Sequence, residues 1–370
     1  MKICVIGAGS GGRAFSAYLS SKGHLVSLYN RSFSRIADIR KSRGIRAMGE
    51  LEGFFLVDIV TQNLPLALKG AKIIIVVTPA SAHGEIAKEI APFLEDGQII
   101  ILNPGRTFGS LEVQRIIEEI RGKIPIFIGE TQTLLFTSRA LEGNKVEIIK
   151  IKNQVDFSCF PEKYTDLIYE ILKEIFPQLN PIDDYLELTL NNIGMLLHPT
   201  ISLFNAGLMD FGKKFKFYSE GTTPRVCLVL EKIEMEINAI FEKLGLKQFK
   251  YFKWAKKSYG IKANSIYEAI QKIEEYKNIY APPQLITRYF TEDVPTGLVP
   301  ISSIGKHLGI KTETIDSVIN LSSTLCGINF RKIGRTLDNL QANSLIDERI
   351  GDIRDYTRTK ISIPRKIYYD

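Results

Sequence analysis

Two groups of residues in this chain have the types and spacing that chemistry needs. The first is Gly7, Gly9 and Gly12, which follow the apolar residues Ile3, Val5 and Ile6 without a gap. A strand that ends in G-x-G-x-x-G and feeds a helix turns unpaired N–H groups, and the positive end of the helix dipole, toward a pyrophosphate. Gly7 belongs in the tight turn, Gly9 where phosphate approaches the backbone and Gly12 where helix meets sheet, with Ser10 and Gly11 completing the loop. That pattern points to a dinucleotide and to hydride transfer. The second group centres on His198, in E-L-T-L-N-N-I-G-M-L-L-H-P. Asn191, His198 and Asn205 are spaced by seven and so fall on one face of a single long helix, which Pro199 should kink. An imidazole titrates near neutrality and can both give and take a proton, although a lone His on an apolar helix also serves as a core residue. Glu292 and Asp293 stand in T-R-Y-F-T-E-D-V-P-T-G, just before Pro295. Asp293 either caps the helix that begins there or holds the imidazole of His198 and raises its basicity.

The tip of the second strand selects the dinucleotide. Residues 24–29, H-L-V-S-L-Y, form that strand, and Asn30 occupies the position where an NAD site usually carries an acid for the ribose hydroxyls. Asn30 brings no charge to repel a 2′-phosphate, and Arg31, beside Ser32, can clamp one with a forked contact. NADP(H) is therefore expected over NAD(H). Arg31 and Arg35 also read as solvated surface charges.

Strands that alternate with helices must carry these loops. Apolar runs at 71–78, 98–103 and 125–130 each end in a loop that leads to a helix or a further strand, the first two helices at 82–94 and 110–121. This predicts an α/β fold, a doubly wound parallel Rossmann sheet with its ligand crevice at the carboxyl ends of the strands. Thr78 and Pro79, Asn103, and Thr131 border that crevice together with the glycine loop and residues 30–32. Two further strands between 147 and 160 close the domain. After N-P-I-D-D the chain reads as helix after helix, and residues 226–244 place Val226, Ile233, Ile237 and Ile240 on one apolar face. The expected domains are a dinucleotide-binding unit over 1–182, an all-helical unit over 183–357 and a basic tail over 358–370. The tail either covers a subunit contact, as in a homodimer, or is a disordered end, and it is expected to be dispensable for chemistry.

With 370 residues, 45% hydrophobic and 24% charged, the chain can build two cores. The net charge of +7 is spread along the chain rather than gathered in a stripe, which suits anionic small molecules and speaks against nucleic acid. The four cysteines and four histidines are too scattered for a metal site or a disulfide framework, so no metal is expected. No run approaches membrane-spanning length and the first strand leaves no room for a leader, so a cytoplasmic protein is expected.

The chain resembles the opine dehydrogenases, the octopine/nopaline dehydrogenase family, over nearly its whole length. The resemblance rests on G-A-G-S-G-G near the start, I-I-L-N-P-G at 100–105, I-G-E-T-Q-T-L-L-F-T at 128–137, H-P at 198–199, E-G-T-T-P at 220–224, S-Y-G at 258–260, I-Y-E-A at 266–269 and T-R-Y-F-T-E-D-V-P-T-G-L-V-P at 287–300. It implies a Rossmann domain followed by an all-helical domain like that of 6-phosphogluconate-type dehydrogenases. It also implies reductive condensation of an amino acid with an α-keto acid such as pyruvate, with His198 as acid/base and Asp293 as its partner. Asn192 matches the family pattern, whereas Gly194 stands where a second Asn is often found. Arg139 and Arg288 are candidates for binding substrate carboxylates, and Asn192 is a further substrate-side candidate. Two other readings remain at this point. A ketopantoate-reductase-like enzyme would rely on a lysine in the second domain, yet residues 185–210 contain none. A non-catalytic NADP(H)-binding redox sensor would have no need of both His198 and Asp293.

Overall fold

Four consecutive apolar residues at 73–76 and again at 99–102 leave no polar face, which a strand tolerates only when both sides of its sheet are covered. The computed structural model, which describes residues 1–361, buries both runs at the centre of an eight-stranded sheet. The strands are β1 Lys2–Ile6, β2 Leu25–Tyr29, β3 Gly44–Gly49, β4 Gly53–Leu56, β5 Ile59–Thr61, β6 Ile73–Val76, β7 Ile99–Leu102, β8 Phe127–Thr131, β9 Phe136–Ala140, β10 Lys145–Ile151, β11 Val155–Phe160 and β12 Leu179–Pro181. The large sheet has the order β12-β11-β8-β7-β6-β1-β2-β5. From β5 to β8 all neighbours are parallel, with helices on both faces, as expected of a doubly wound Rossmann sheet. The sheet is not wholly parallel, however: β11 runs antiparallel to β8, and β12 parallel to β11.

A second, four-stranded sheet, β4-β3-β10-β9, packs on the helix Ser10–Ser21 that follows the glycine loop. The run expected to close the Rossmann sheet near residue 147 is β10 of this second sheet. The sheet covers one flank of the helix whose N-terminus faces the crevice, and Ser10 Oγ accepts from the Ala140 N–H at 2.9 Å.

From Tyr185 onward every named element among the described residues is helical. The single long helix expected around His198 is two helices, Tyr185–Leu190 and Ile193–Phe204. Asn192 ends the extension because its Oδ1 accepts from the Met195 N–H, a typical N-cap that starts the second helix afresh. Asn191 therefore lies outside the helix that carries His198, while Pro199 sits inside it. The helix Pro224–Lys243 buries Ile233, Ile237 and Ile240 in the core of this half. Residues 362–370, most of the basic tail, lie outside the described residues.

The halves are joined by a buried pin. Arg335, only 3% exposed, belongs to the helical half. Its Nη1 donates to the carbonyls of Gly105 at 3.2 Å and Thr107 at 2.7 Å, and its Nη2 to Ala80 O at 3.1 Å and Glu112 Oε2 at 2.8 Å. Four acceptors of the sheet half lose their donor together if this guanidinium is removed. Arg335→Met is expected to lower the unfolding free energy by about 3–5 kcal/mol, the scale for breaking a buried charge network. Urea unfolding measures this, and a loss below about 1 kcal/mol would mean that water replaces the guanidinium without difficulty.

Candidate active site

The crevice at the strand ends is a cavity of about 720 Å³ bordered by Gly7, Gly9, Ser10, Gly11, Asn30, Arg31, Ser32, Thr78, Pro79, Asn103, Arg106, Arg288 and Glu292, among others. The glycine loop has a pyrophosphate cradle's geometry. Gly7 holds φ +109°, where an L side chain is strained, and a Cβ there would lie 2.6 Å from Val77 O. A Cβ on Gly9 would meet nothing within 4 Å, so this backbone faces open space. A Cβ on Gly12 would sit 1.7 Å from Gly7 O, so Gly12 serves the helix contact and does not border the crevice. No side chain caps the helix Ser10–Ser21, which leaves its first N–H groups available to an anion. These residues fit a dinucleotide. Thr131 lies behind the rim, where its Oγ1 accepts from Asn103 Nδ2.

Behind Arg106 and Glu292, which border the crevice, His198 Nδ1 lies 2.7 Å from Asp293 Oδ2. Asp293 caps no helix: it is buried where the short helix Arg288–Thr291 passes into a wide π turn, Val294–Leu298. Nε2 of the imidazole is 2.9 Å from the Tyr218 hydroxyl, and the ring stacks on Tyr289 with centroids 4.4 Å apart. Burial pushes the Tyr218 phenol well above its usual range, so its O–H donates to Nε2. An ionised Asp293 can only accept, which assigns the Nδ1 proton to this contact. Burial acts to raise the Asp293 carboxyl, but Arg106 and then His198 outweigh it and hold the group below its ordinary value.

Arg106 is the member that sequence reasoning missed. Its Nε donates to Glu292 Oε1 at 3.2 Å, its Nη2 lies 3.3 Å from Asp293 Oδ1, and its Nη1 donates to Asn192 Oδ1 at 3.3 Å. Burial works against its charge, and the two carboxylates more than reverse that effect. Arg106 sits in the loop after β7 at φ +60°, unusual for a residue with a side chain, and Phe108 follows at φ +62°. Nothing in the letters N-P-G-R-T-F-G marks this conformation. Gly194 makes the room, since a Cβ there would lie 2.3 Å from Arg106 Nη1 and 2.4 Å from Asp293 Oδ1.

Of the expected substrate residues, Arg288 borders the crevice, and among the described residues it forms no ion pair with a carboxylate. Asn192 is buried and already engaged by Arg106. Arg139 is exposed on β9, opposite Glu147 of the second sheet, and does not border the crevice, so the structure does not support a substrate role for it. No group of metal-binding side chains occurs among the described residues, and no helix there is long and apolar enough to cross a membrane.

Residues 181–326 match the family model described as NAD/NADP octopine/nopaline dehydrogenase, alpha-helical domain, and residues 2–127 match the NAD-dependent glycerol-3-phosphate dehydrogenase N-terminus. An opine dehydrogenase of Arthrobacter sp. (strain 1C) is 40% identical over 342 residues, which is 92% of this chain and 95% of that protein. A vitopine synthase of Allorhizobium ampelinum is 24% identical across 95% of this chain and 98% of its own length. Among solved structures, octopine dehydrogenase in complex with NADH and agmatine superposes with a TM-score of 0.79 at 19% identity, covering 95% of this chain and 98% of that one. The same enzyme with NADH and L-arginine gives 0.77.

The expected preference for NADP(H) over NAD(H) is overturned. The octopine dehydrogenase structures are NADH complexes, and the model matched by the N-terminal residues is that of an NAD-dependent enzyme. The geometry gives the reason that the letters misled. Asn30 is spent inside the protein, its Oδ1 accepting from the Ala8 N–H at 3.0 Å and its Nδ2 donating to Ser32 O at 3.1 Å. Arg31 Nη1 is paired with Glu85 Oε1 at 2.8 Å, and Glu89 borders the same end of the crevice. Carboxylates there oppose a 2′-phosphate.

Two outcomes follow from the buried cluster. Gly194→Ala should lower turnover by roughly 100-fold, because a methyl group there displaces Arg106 and Asp293 by more than a productive site tolerates. Steady-state kinetics on folded variant checks this, and near-normal turnover would show that the pair can shift freely. The depressed Asp293 carboxyl contributes stability that is fully present above the ordinary Asp value, about 3.9, and is lost as pH falls through its folded value. Asp293→Asn should therefore be less stable than the parent at neutral pH and lose less on acidification, as read by urea midpoints from pH 7 to 3.

Proposed function

The chain belongs to the opine dehydrogenase family, and on that premise we propose that His198 moves the protons of the reaction while Asp293 and Arg106 fix its place and charge. The reaction is the reductive condensation of an amino acid with an α-keto acid, and the reverse oxidation. The amine attacks the keto carbon, water leaves to give an imine, and the imine takes up a hydride and a proton to become a secondary amine. A bound nicotinamide dinucleotide, NAD(H) in this reading, supplies the hydride.

His198 does its work from the helical half. With Nδ1–H donated to Asp293 and Nε2 accepting from the Tyr218 hydroxyl, protons reach and leave Nε2 through that hydroxyl, one taken up as the amine attacks and one returned as water departs. Asp293 keeps that tautomer and supports the imidazolium when it forms. Tyr218 keeps Nε2 aligned through its hydroxyl. Arg288, which forms no ion pair among the described residues and lies on the crevice wall, takes the carboxylate of the keto acid, and Asn192 positions Arg106. The domain boundary is drawn between 182 and 183, and the four free, buried cysteines suit a reducing compartment such as the cytoplasm. The observation that carries this reading is the 2.7 Å contact of His198 with Asp293, beside a crevice whose glycine loop is built for a pyrophosphate.

The test is NADH consumption across a grid of amino acids and α-keto acids, with mass detection of the secondary amine. No product anywhere on the grid would overturn the reading. His198→Ala should leave NADH binding nearly unchanged and cut turnover by roughly 100-fold or more. Asp293→Asn should give a smaller fall, and the double variant should be little worse than His198→Ala alone, because the two act as one unit. If His198 were only a core residue, His198→Ala would lower thermal stability and spare turnover per folded molecule.

A further inference from the structure

We infer that Lys152 anchors a carboxylate of the amino-acid half of the substrate, a role that rests on the reaction proposed above. Lys152 directly follows β10 and is 5% exposed. A lysine so deep in a protein is almost always paired with an acid. Among the described residues no carboxylate forms an ion pair with Lys152, and its ammonium donates only to Thr133 Oγ1, at 2.9 Å. The ammonium also lies 5.7 Å from the ring centroid of Trp254 and 6.0 Å from that of Tyr259. Two rings and one hydroxyl are poor compensation for a buried charge. Burial first, and the Arg106 guanidinium second, push this ammonium down to about 7. An anion beside it would reverse both effects.

The surroundings say which anion. Thr133 precedes Leu134, which borders the crevice. Tyr259 packs edge-on against Tyr276 at 5.8 Å, Tyr276 stacks on Tyr218 at 3.9 Å, and the Tyr218 hydroxyl touches His198 Nε2. One aromatic wall therefore runs from Lys152 to the proton-handling imidazole. The reaction joins two molecules that each bring a carboxylate. Arg106 is committed to Asp293 and Glu292, Arg288 serves the keto acid, and Arg13, buried without an acid, is satisfied by five backbone carbonyls, which leaves Lys152 among the described residues as a buried cation with a single hydroxyl for a partner. The carboxylate it takes is either the α-carboxylate of the amino acid or one at the end of its side chain.

Amide analogues separate these sources and test the inference. kcat/KM is measured for an accepted amino acid and its α-amide, and for glutamate and glutamine, with the parent, Lys152→Met and Lys152→Arg. In the parent at least one acid should be preferred over its amide by at least about tenfold, the scale of a hydrogen bond to a charged group. Lys152→Met should bring that ratio near unity with the keto acid KM unchanged, and Lys152→Arg should restore much of it. Collapse of the α-amide ratio identifies the α-carboxylate, and collapse of the glutamate ratio identifies the side chain. If Lys152→Met does not fold, acetic anhydride labelling of the parent decides. The opine product should slow acetylation of Lys152 at least fivefold, by about the loss expected from pairing an amine, and absence of protection would overturn the inference. Ratios unchanged in an active Lys152→Met also overturn it, whereas a parent that couples no amino acid overturns the proposed reaction itself.

Discussion

A guanidinium held between two adjacent carboxylates is the contact on which the site depends. Arg106 comes from the loop after β7, Glu292 and Asp293 from the turn between two helices, and each of the three side chains is less than one-tenth exposed. A lone charge in such a place costs several kcal/mol, so neither half presents its member comfortably without the other. By formal charge, one cation between two anions leaves a single negative charge. The imidazole of His198 is the next group in line, 2.7 Å from the Asp293 carboxylate. The same cluster that docks the halves thus also fixes the carboxylate to which Nδ1 of His198 is bonded.

The loop that presents Arg106 has to be forced into shape. Two successive left-handed residues with side chains, Arg106 and Phe108 around Thr107, cost roughly 1–3 kcal/mol each. What offsets this comes from the helical half. Thr189 Oγ1 accepts from the Phe108 N–H at 2.7 Å and donates to Arg106 O, Thr107 N–H donates to Thr296 O, and Arg335 gathers the Gly105 and Thr107 carbonyls. The shape of the loop is therefore a property of the two halves docked together. Glu292 extends the same logic, since its Oε1 also accepts from the Ala80 N–H of the loop after β6.

What could be read from the sequence was what is decided locally. The glycine loop announces itself because a tight turn, a close approach and a helix contact each need glycine at a fixed place. The apolar runs of β6 and β7 announce a covered sheet for a similar reason. His198 was legible through its setting, a polar ring before a proline on an apolar helix. The second sheet was not, because Gly44, Gly49 and Gly53 stand at the ends of short strands, where they read as turns. Arg106 was hidden more thoroughly. Its partners lie 86 and 186 residues away, and its backbone conformation leaves no mark in the composition. Asn30 and Arg31 misled because their chemistry was judged without Glu85, whose helix reaches them only in the folded sheet.

Gly194 shows that a missing side chain can be as specific as a present one. Glycine inside a helix costs about 1 kcal/mol relative to alanine, so its place in the first turn of Ile193–Phe204 needs a reason. The reason is volume: the space a side chain would fill is occupied by the Arg106 guanidinium and the Asp293 carboxylate. Any side chain at that point, an asparagine included, excludes a guanidinium seated as Arg106 is. Gly194 and Arg106 are therefore two halves of one solution. The cation delivered from the Rossmann loop faces Asp293 across the space that Gly194 leaves, and so ties the two halves together through charge.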